Sequence, residues 1–171
     1  GSVAGFYATL KHAKLPMAKL IQPAIDLAEQ GFAITEKEAN LLNTQMQYFN
    51  EHNKIQTVFQ EKNEWKQGDI LIQKDLAETL KLIQKNGAKG FYEGKTAELI
   101  VAEMKHGNGI ITLNDLKNYK VAERKPIVFD YKGNEIVSMP LPSSGGILLA
   151  QMLKMAGYEN LEKYQQNSTE A

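Results

Sequence analysis

Cysteine is absent from this 171-residue sequence, which excludes disulfides, thiolate metal sites and a cysteine nucleophile. Arginine is almost absent: Arg124 stands alone among the twenty basic residues, leaving a single planar fork for gripping a carboxylate or phosphate. An excess of either charge is missing too, since twenty acidic residues balance the twenty basic ones. No overall field would draw such a chain onto a phosphate backbone or an anionic membrane, so no nucleic-acid partner is expected. No run approaches the roughly 20 consecutive apolar residues that span a bilayer, and nothing has the layout of a signal peptide. The sequence opens on Gly1 and enters a helical pattern at once. It is therefore expected to be a piece of a longer protein, whose missing leader says nothing about compartment.

What is present is an ordinary globular mixture, 43% apolar and 23% charged, long enough to bury a core and by default one domain. Val3, Phe6, Tyr7 and Leu10 fall on one helical face. Met17, Leu20, Ile21, Ala24, Ile25 and Ala28 continue a stripe in which Pro23 predicts a kink or restart, and Gly31 suits the left-handed position after the helix. Thr35 and Glu38 have capping-box spacing and open a long helix through Phe49. From Glu51 to Lys74 the periodicity fails, predicting a loop that carries the sole tryptophan, Trp65, and a turn at Gln67–Asp69. Asp75 and Glu78 are placed to cap the next helix, which 86-NGAKG-90 ends. Another helix runs from Ala97 to Met104, and Thr112 with Asp115 caps a short turn.

The helical part, 1–120, gives way to alternation over 127–139, where Lys132-Gly133-Asn134 tolerates positive φ, predicting a hairpin within 126–139. Residues 145–157 leave no polar face and predict a buried helix covered on several sides, followed by a polar tail, 158–171. The fold class is α+β, mostly helical with a small β-hairpin. A hairpin alone is marginal in water, so its apolar face needs cover from this chain or from another polypeptide.

The joint between hairpin and helix, 139-MPLPSSGG-146, is the one stretch with turn chemistry. Ser143, Ser144, Gly145 and Gly146 could present successive amides to an anion from a helix N-terminus. The structural alternative is that Ser143 or Ser144 caps the helix while the glycines permit close packing, and it is favoured because no lysine or further glycine accompanies them. A serine nucleophile lacks both the G-x-S-x-G elbow and a base partner. His12, His52 and His106 have polar neighbours and no i+4 histidine, so no metal site is expected. Acid pairs such as Glu36 with Glu38 and Glu61 with Glu64 read as solvated faces, and Asn167-Ser168-Thr169 matches a glycosylation acceptor in the tail.

Five blocks in order, GSVAGF, LIQPAIDLAEQGF, GDILIQKDLAETLKLIQKNGAKGFYEGKTAELI, GIITLNDLKNYKVAERKPI and MPLPSSGGILLAQML, resemble the large subunit of γ-glutamyltranspeptidases from Gly1 to about Gly157. That resemblance implies an internal segment of an N-terminal nucleophile hydrolase, made as a precursor that cleaves itself. It implies a threonine at the new N-terminus of the small subunit that attacks γ-glutamyl amides such as glutathione, with no cofactor, in a periplasmic or extracellular setting. Its partners would be the rest of the large subunit and the small subunit. None of this chain's eight threonines stands in the family's Thr-Thr-His context, and Arg124, in A-x-x-R-x-P, does not match the carboxylate-binding arginine; an ion pair tying helices to hairpin is its expected role. No catalytic residue is therefore assigned, the isolated piece is expected to be inert, and the family's Pro-Ser-Ser-Gly-Gly is matched at Pro142–Gly146 without a catalytic duty to carry over. The rival expectation is a free-standing helical binding module with an anion or partner site at Ser143–Gly146.

Overall fold

The computed structural model describes residues 1–159, 163, 164 and 168. Where composition predicted one domain, the chain divides into two compact units, Gly1–Val121 and Ala122–Ala171.

The first unit is helical. Helices α1 (Ser2–Thr9) and α2 (Met17–Gln30) are followed by a two-residue strand, β1 (Phe32–Ala33), and the long helix α3 (Glu36–His52). Pro23 lies inside α2 without restarting it. The docking of α2 on a later helix through buried Ile25 and Ala28 outweighs one lost amide donor. Gly31 has φ 81°, and a Cβ there would come within 2.6 Å of the Ile70 and Ile72 side chains, so only glycine fits. Thr35 and Glu38 form the expected box: Glu38 N–H donates to Thr35 Oγ1 at 3.3 Å, and Thr35 N–H donates to Glu38 Oε2 at 2.7 Å.

The segment expected to be only loop contains a second short strand, β2 (Ile70–Leu71), which pairs antiparallel with β1 through Phe32 opposite Leu71 and Ala33 opposite Ile70. Two-residue strands generate no readable alternation. Trp65 is 3% exposed and forms a core with Ile34, Ala39 and Leu71. Asn43 on α3 holds its backbone at both ends, donating through Nδ2 to Trp65 O at 2.9 Å and accepting Trp65 N–H through Oδ1 at 2.8 Å. The indole N–H donates to Phe59 O at 2.8 Å, so the ring is buried with its one polar atom satisfied.

Helix α4 (Lys74–Asn86) starts from Gln73, and Asp75 and Glu78 do not cap it. Glu78 instead accepts from Lys81, which also pairs with Glu29 on α2. After Gly87 (φ 67°) the chain re-enters a short helix, α5 (Lys89–Tyr92), where only an end was expected. Gly90 explains it: a Cβ would stand 2.1 Å from Leu82 O, so α5 tucks against α4 only through glycine. Then come α6 (Lys95–His106) and α7 (Leu113–Lys117), the latter capped by Thr112 and Asp115 as predicted.

In the second unit, β3 (Ile127–Tyr131) and β4 (Asn134–Ser138) pair through Val128 opposite Val137 and Phe129 opposite Ile136. Lys132 (φ 51°) and Gly133 (φ 77°) make a two-residue turn with positive φ at both positions, the type I′ that suits strand twist. Helix α8 (Gly145–Glu159) packs on β3, with Gly157 against the Tyr131 ring. The expected burial of 145–157 is not found. Leu148, Met152 and Met155 are exposed, and Gly146 is the only buried residue among those described after Val121. The physical reason is supply: one ribbon covers one helical stripe, and a helix apolar all round needs neighbours this unit does not contain. Most of the polar tail, including Asn167 and Thr169 of the glycosylation triplet, lies outside the described residues.

Trp65→Ala is expected to lower the stability of the first unit by about 3–5 kcal/mol in urea unfolding followed by circular dichroism, from lost transfer free energy and an unfilled cavity. A second outcome concerns acid. Asp69 accepts from Lys62 Nζ at 2.7 Å and from Lys66 N–H at 2.8 Å, and these bonds hold its carboxyl below the ordinary aspartate value. The folded state thus binds fewer protons, so this stabilisation is present above the unfolded-state pKa and lost as pH falls through the folded one. Asp69→Asn should reduce stability near neutrality and flatten its acid limb.

Candidate functional site

The structure brings Ser143, Ser144, Gly145 and Gly146 together as a tight entry to α8. Ser143 N–H donates to Pro140 O at 3.2 Å, and Leu148 N–H donates to Ser144 O at 2.9 Å, so Ser144 supplies the first helical carbonyl. Gly145 N–H donates to Ser143 Oγ at 3.4 Å. The Leu141–Pro142 peptide bond is cis. Gly146 is buried against the end of β4: an added Cβ would lie 2.2 Å from Met139 O and 3.2 Å from Ser138 Oγ. Gly145 is exposed, with nothing nearer its Cβ position than Ser143 Oγ at 3.6 Å. One amide of the supposed anion cradle is thus taken by a serine hydroxyl, and one glycine is committed to packing the helix start onto the strand.

The remaining chemistry-bearing residues are dispersed. Thr9, Thr44 and Thr79 donate their hydroxyls to backbone carbonyls four residues earlier. Thr35 and Thr112 resemble hydroxyl–carboxylate pairs, with Oγ1 2.8 Å from Glu38 Oε2 and 2.7 Å from Asp115 Oδ2. Those hydrogen bonds, chiefly from Thr35 backbone and Thr112 side chain respectively, lower the pKa of both carboxyls, which makes them poor proton acceptors. They are helix caps. His12, His52 and His106 are exposed and far apart in sequence, and no group of three metal-ligating side chains occurs among the described residues. Arg124 is exposed, and the ion pair expected of it is not found among the described residues. Glu61 and Glu64 are exposed, as their composition implied.

The γ-glutamyltranspeptidase family model matches residues 1–171. This chain belongs to that family. It is 40% identical over 174 residues to a glutathione hydrolase proenzyme of Escherichia coli K12, covering all of this chain and 30% of that protein. It is 41% identical over 165 residues to the capsule biosynthesis protein CapD proenzyme of Bacillus anthracis, covering 95% of this chain and 30% of the relative. The crystal structure of Helicobacter pylori γ-glutamyltranspeptidase matches with a TM-score of 0.89 at 40% identity, over 99% of this chain and 49% of that one. The helices and ribbons described above are thus a segment of an N-terminal nucleophile hydrolase fold, and the chain spans about 30% of the length of these curated relatives.

The dominant feature missed by sequence reasoning is the hold of Asn43 on Trp65, across 22 residues, for which no local signal exists. At the joint, Gly146→Ala is expected to destabilise by about 1–3 kcal/mol through overpacking, whereas Gly145→Ala should stay within about 0.5 kcal/mol. Thermal unfolding of the two variants, compared side by side, checks the division of labour.

Proposed function

We propose that the protein containing this segment cleaves γ-glutamyl amides and passes the γ-glutamyl group to water or an amino acid. The observation that carries the reading is family membership over the whole chain, together with the names of its relatives, glutathione hydrolase and transpeptidase. In the reaction the family resemblance implies, the hydroxyl of an N-terminal threonine attacks the γ-carbonyl and its own α-amino group accepts the proton. The bond to the leaving amine breaks as that amine takes up the proton, and the acyl ester is then opened by water or by an acceptor amine. That threonine lies outside this chain. Within it, each threonine hydroxyl with an assigned hydrogen bond serves a cap or a helix backbone, so this segment works as scaffold and is inert alone. The setting is periplasmic or extracellular; no helix among the described residues is long and apolar enough to cross a membrane.

Substrate choice is carried elsewhere in the precursor. Relatives named for glutathione hydrolysis and for capsule biosynthesis are 40% and 41% identical to this segment, so its overall similarity does not sort one substrate from the other.

The test is an assay with a chromogenic γ-glutamyl amide. The full-length processed protein should turn it over, and the purified 171-residue chain should not. Turnover by the chain alone would overturn the scaffold reading, and no turnover by the processed protein would overturn the activity.

A further inference from the structure

Helix α1 is apolar yet buries none of its residues. It is held at two points: Tyr7 Oη donates to Ile83 O at 3.0 Å, and Ala4 N–H donates to Tyr92 Oη at 3.3 Å. Between α1, α2 and α4 this leaves an open groove of about 450 Å³, lined by Val3, Phe6, Leu10, Leu20, Ile21 and Leu80 among others. Phe6 is 62% exposed and Leu20 46%. The groove's polar side chains are Tyr7 and Thr9, and both hydroxyl protons are already given to backbone carbonyls, Ile83 O and Gly5 O. Small-molecule sites of this size carry a few placed polar groups that orient the ligand, and this groove offers no uncommitted donor. It has the character of a surface that receives apolar side chains, as a helix-in-groove contact does.

We propose that the groove is filled by apolar side chains from the part of the precursor that lies outside this chain. The relatives are proenzymes of which this chain covers 30%, so most of the polypeptide that could bury Phe6 and Leu20 is elsewhere in the same molecule. An open apolar channel on a protein's surface is an association liability that such packing removes. The occupant is an uncharged stretch, because no charged side chain lines the groove to meet a counter-ion. The inference rests on this chain being a segment of a longer protein and is independent of the γ-glutamyl chemistry.

Hydroxyl-radical footprinting of the full-length, unsubstituted precursor, read residue by residue by mass spectrometry, tests it without a variant that could fail to fold. Phe6 and Met17 should react about tenfold or more slowly than in the same protein unfolded in urea, since their exposure would then require local opening. The protection should survive unfolding and refolding in defined buffer. Reaction within about twofold of the unfolded rate would overturn the proposal, as would protection lost after refolding, which would mark a bound small molecule. A γ-glutamyl amide assay on the same sample keeps the two claims apart: turnover with an unprotected Phe6 sinks this inference and leaves the activity standing.

Discussion

Two strands and one helix cannot enclose a core, and everything from Ala122 onward is shaped by that limit. Ile127, Phe129 and Tyr131 turn one face of the ribbon toward α8, yet Val128 and Val137 face outward as an exposed pair, and Leu148, Met152 and Met155 stand clear on the helix. A ribbon of this size is marginal in water unless more structure packs on it. The apolar residues that are buried all lie between Ile25 and Val101. The second unit is therefore a building part whose stability depends on surroundings, which accords with a segment matching 30% of its relatives' length.

The first unit solves a different problem. Its core has two centres, one around Trp65 between α3 and the β1–β2 pair, the other where α2, α4, α5 and α6 meet at Ile25, Ala77, Tyr92 and Ala97. Backbone contacts join them: Gln73 N–H donates to Ala28 O at 2.8 Å, tying the strand that leaves Trp65 to the end of α2. Irregular chain between Glu51 and Lys74 is thus fixed by Asn43, the indole N–H and Asp69 rather than by a regular ladder. No group in this arrangement is prepared for nucleophilic chemistry, and the carboxyls beside Thr35 and Thr112 are tuned in the direction that suits caps.

What could be read from the sequence follows the range of the interaction. The Thr35 and Thr112 boxes, Gly31 after α2 and the Lys132–Gly133 turn were legible because each is decided within a few residues. The β1–β2 pairing, the hold on Trp65 and the α5 turn against Leu82 were not, because each is fixed by a residue distant in sequence or by a close approach visible only in space. At the joint, sequence placed Ser143–Gly146 correctly at a strand-to-helix turn, and the contact of Gly146 with Met139 O favours packing over anion binding. Helix α8 marks a different boundary. Its all-round apolarity was readable, but whatever covers it is not part of this chain.

The central claim is that these elements support a nucleophile supplied by another stretch of the same protein. Trapping the acyl intermediate of the full-length processed enzyme with a slow γ-glutamyl substrate, then locating the added mass by peptide mapping, tests it most directly. The account predicts the γ-glutamyl group on a threonine outside these 171 residues. An acyl group on Ser143, Ser144 or any hydroxyl of this segment would contradict it.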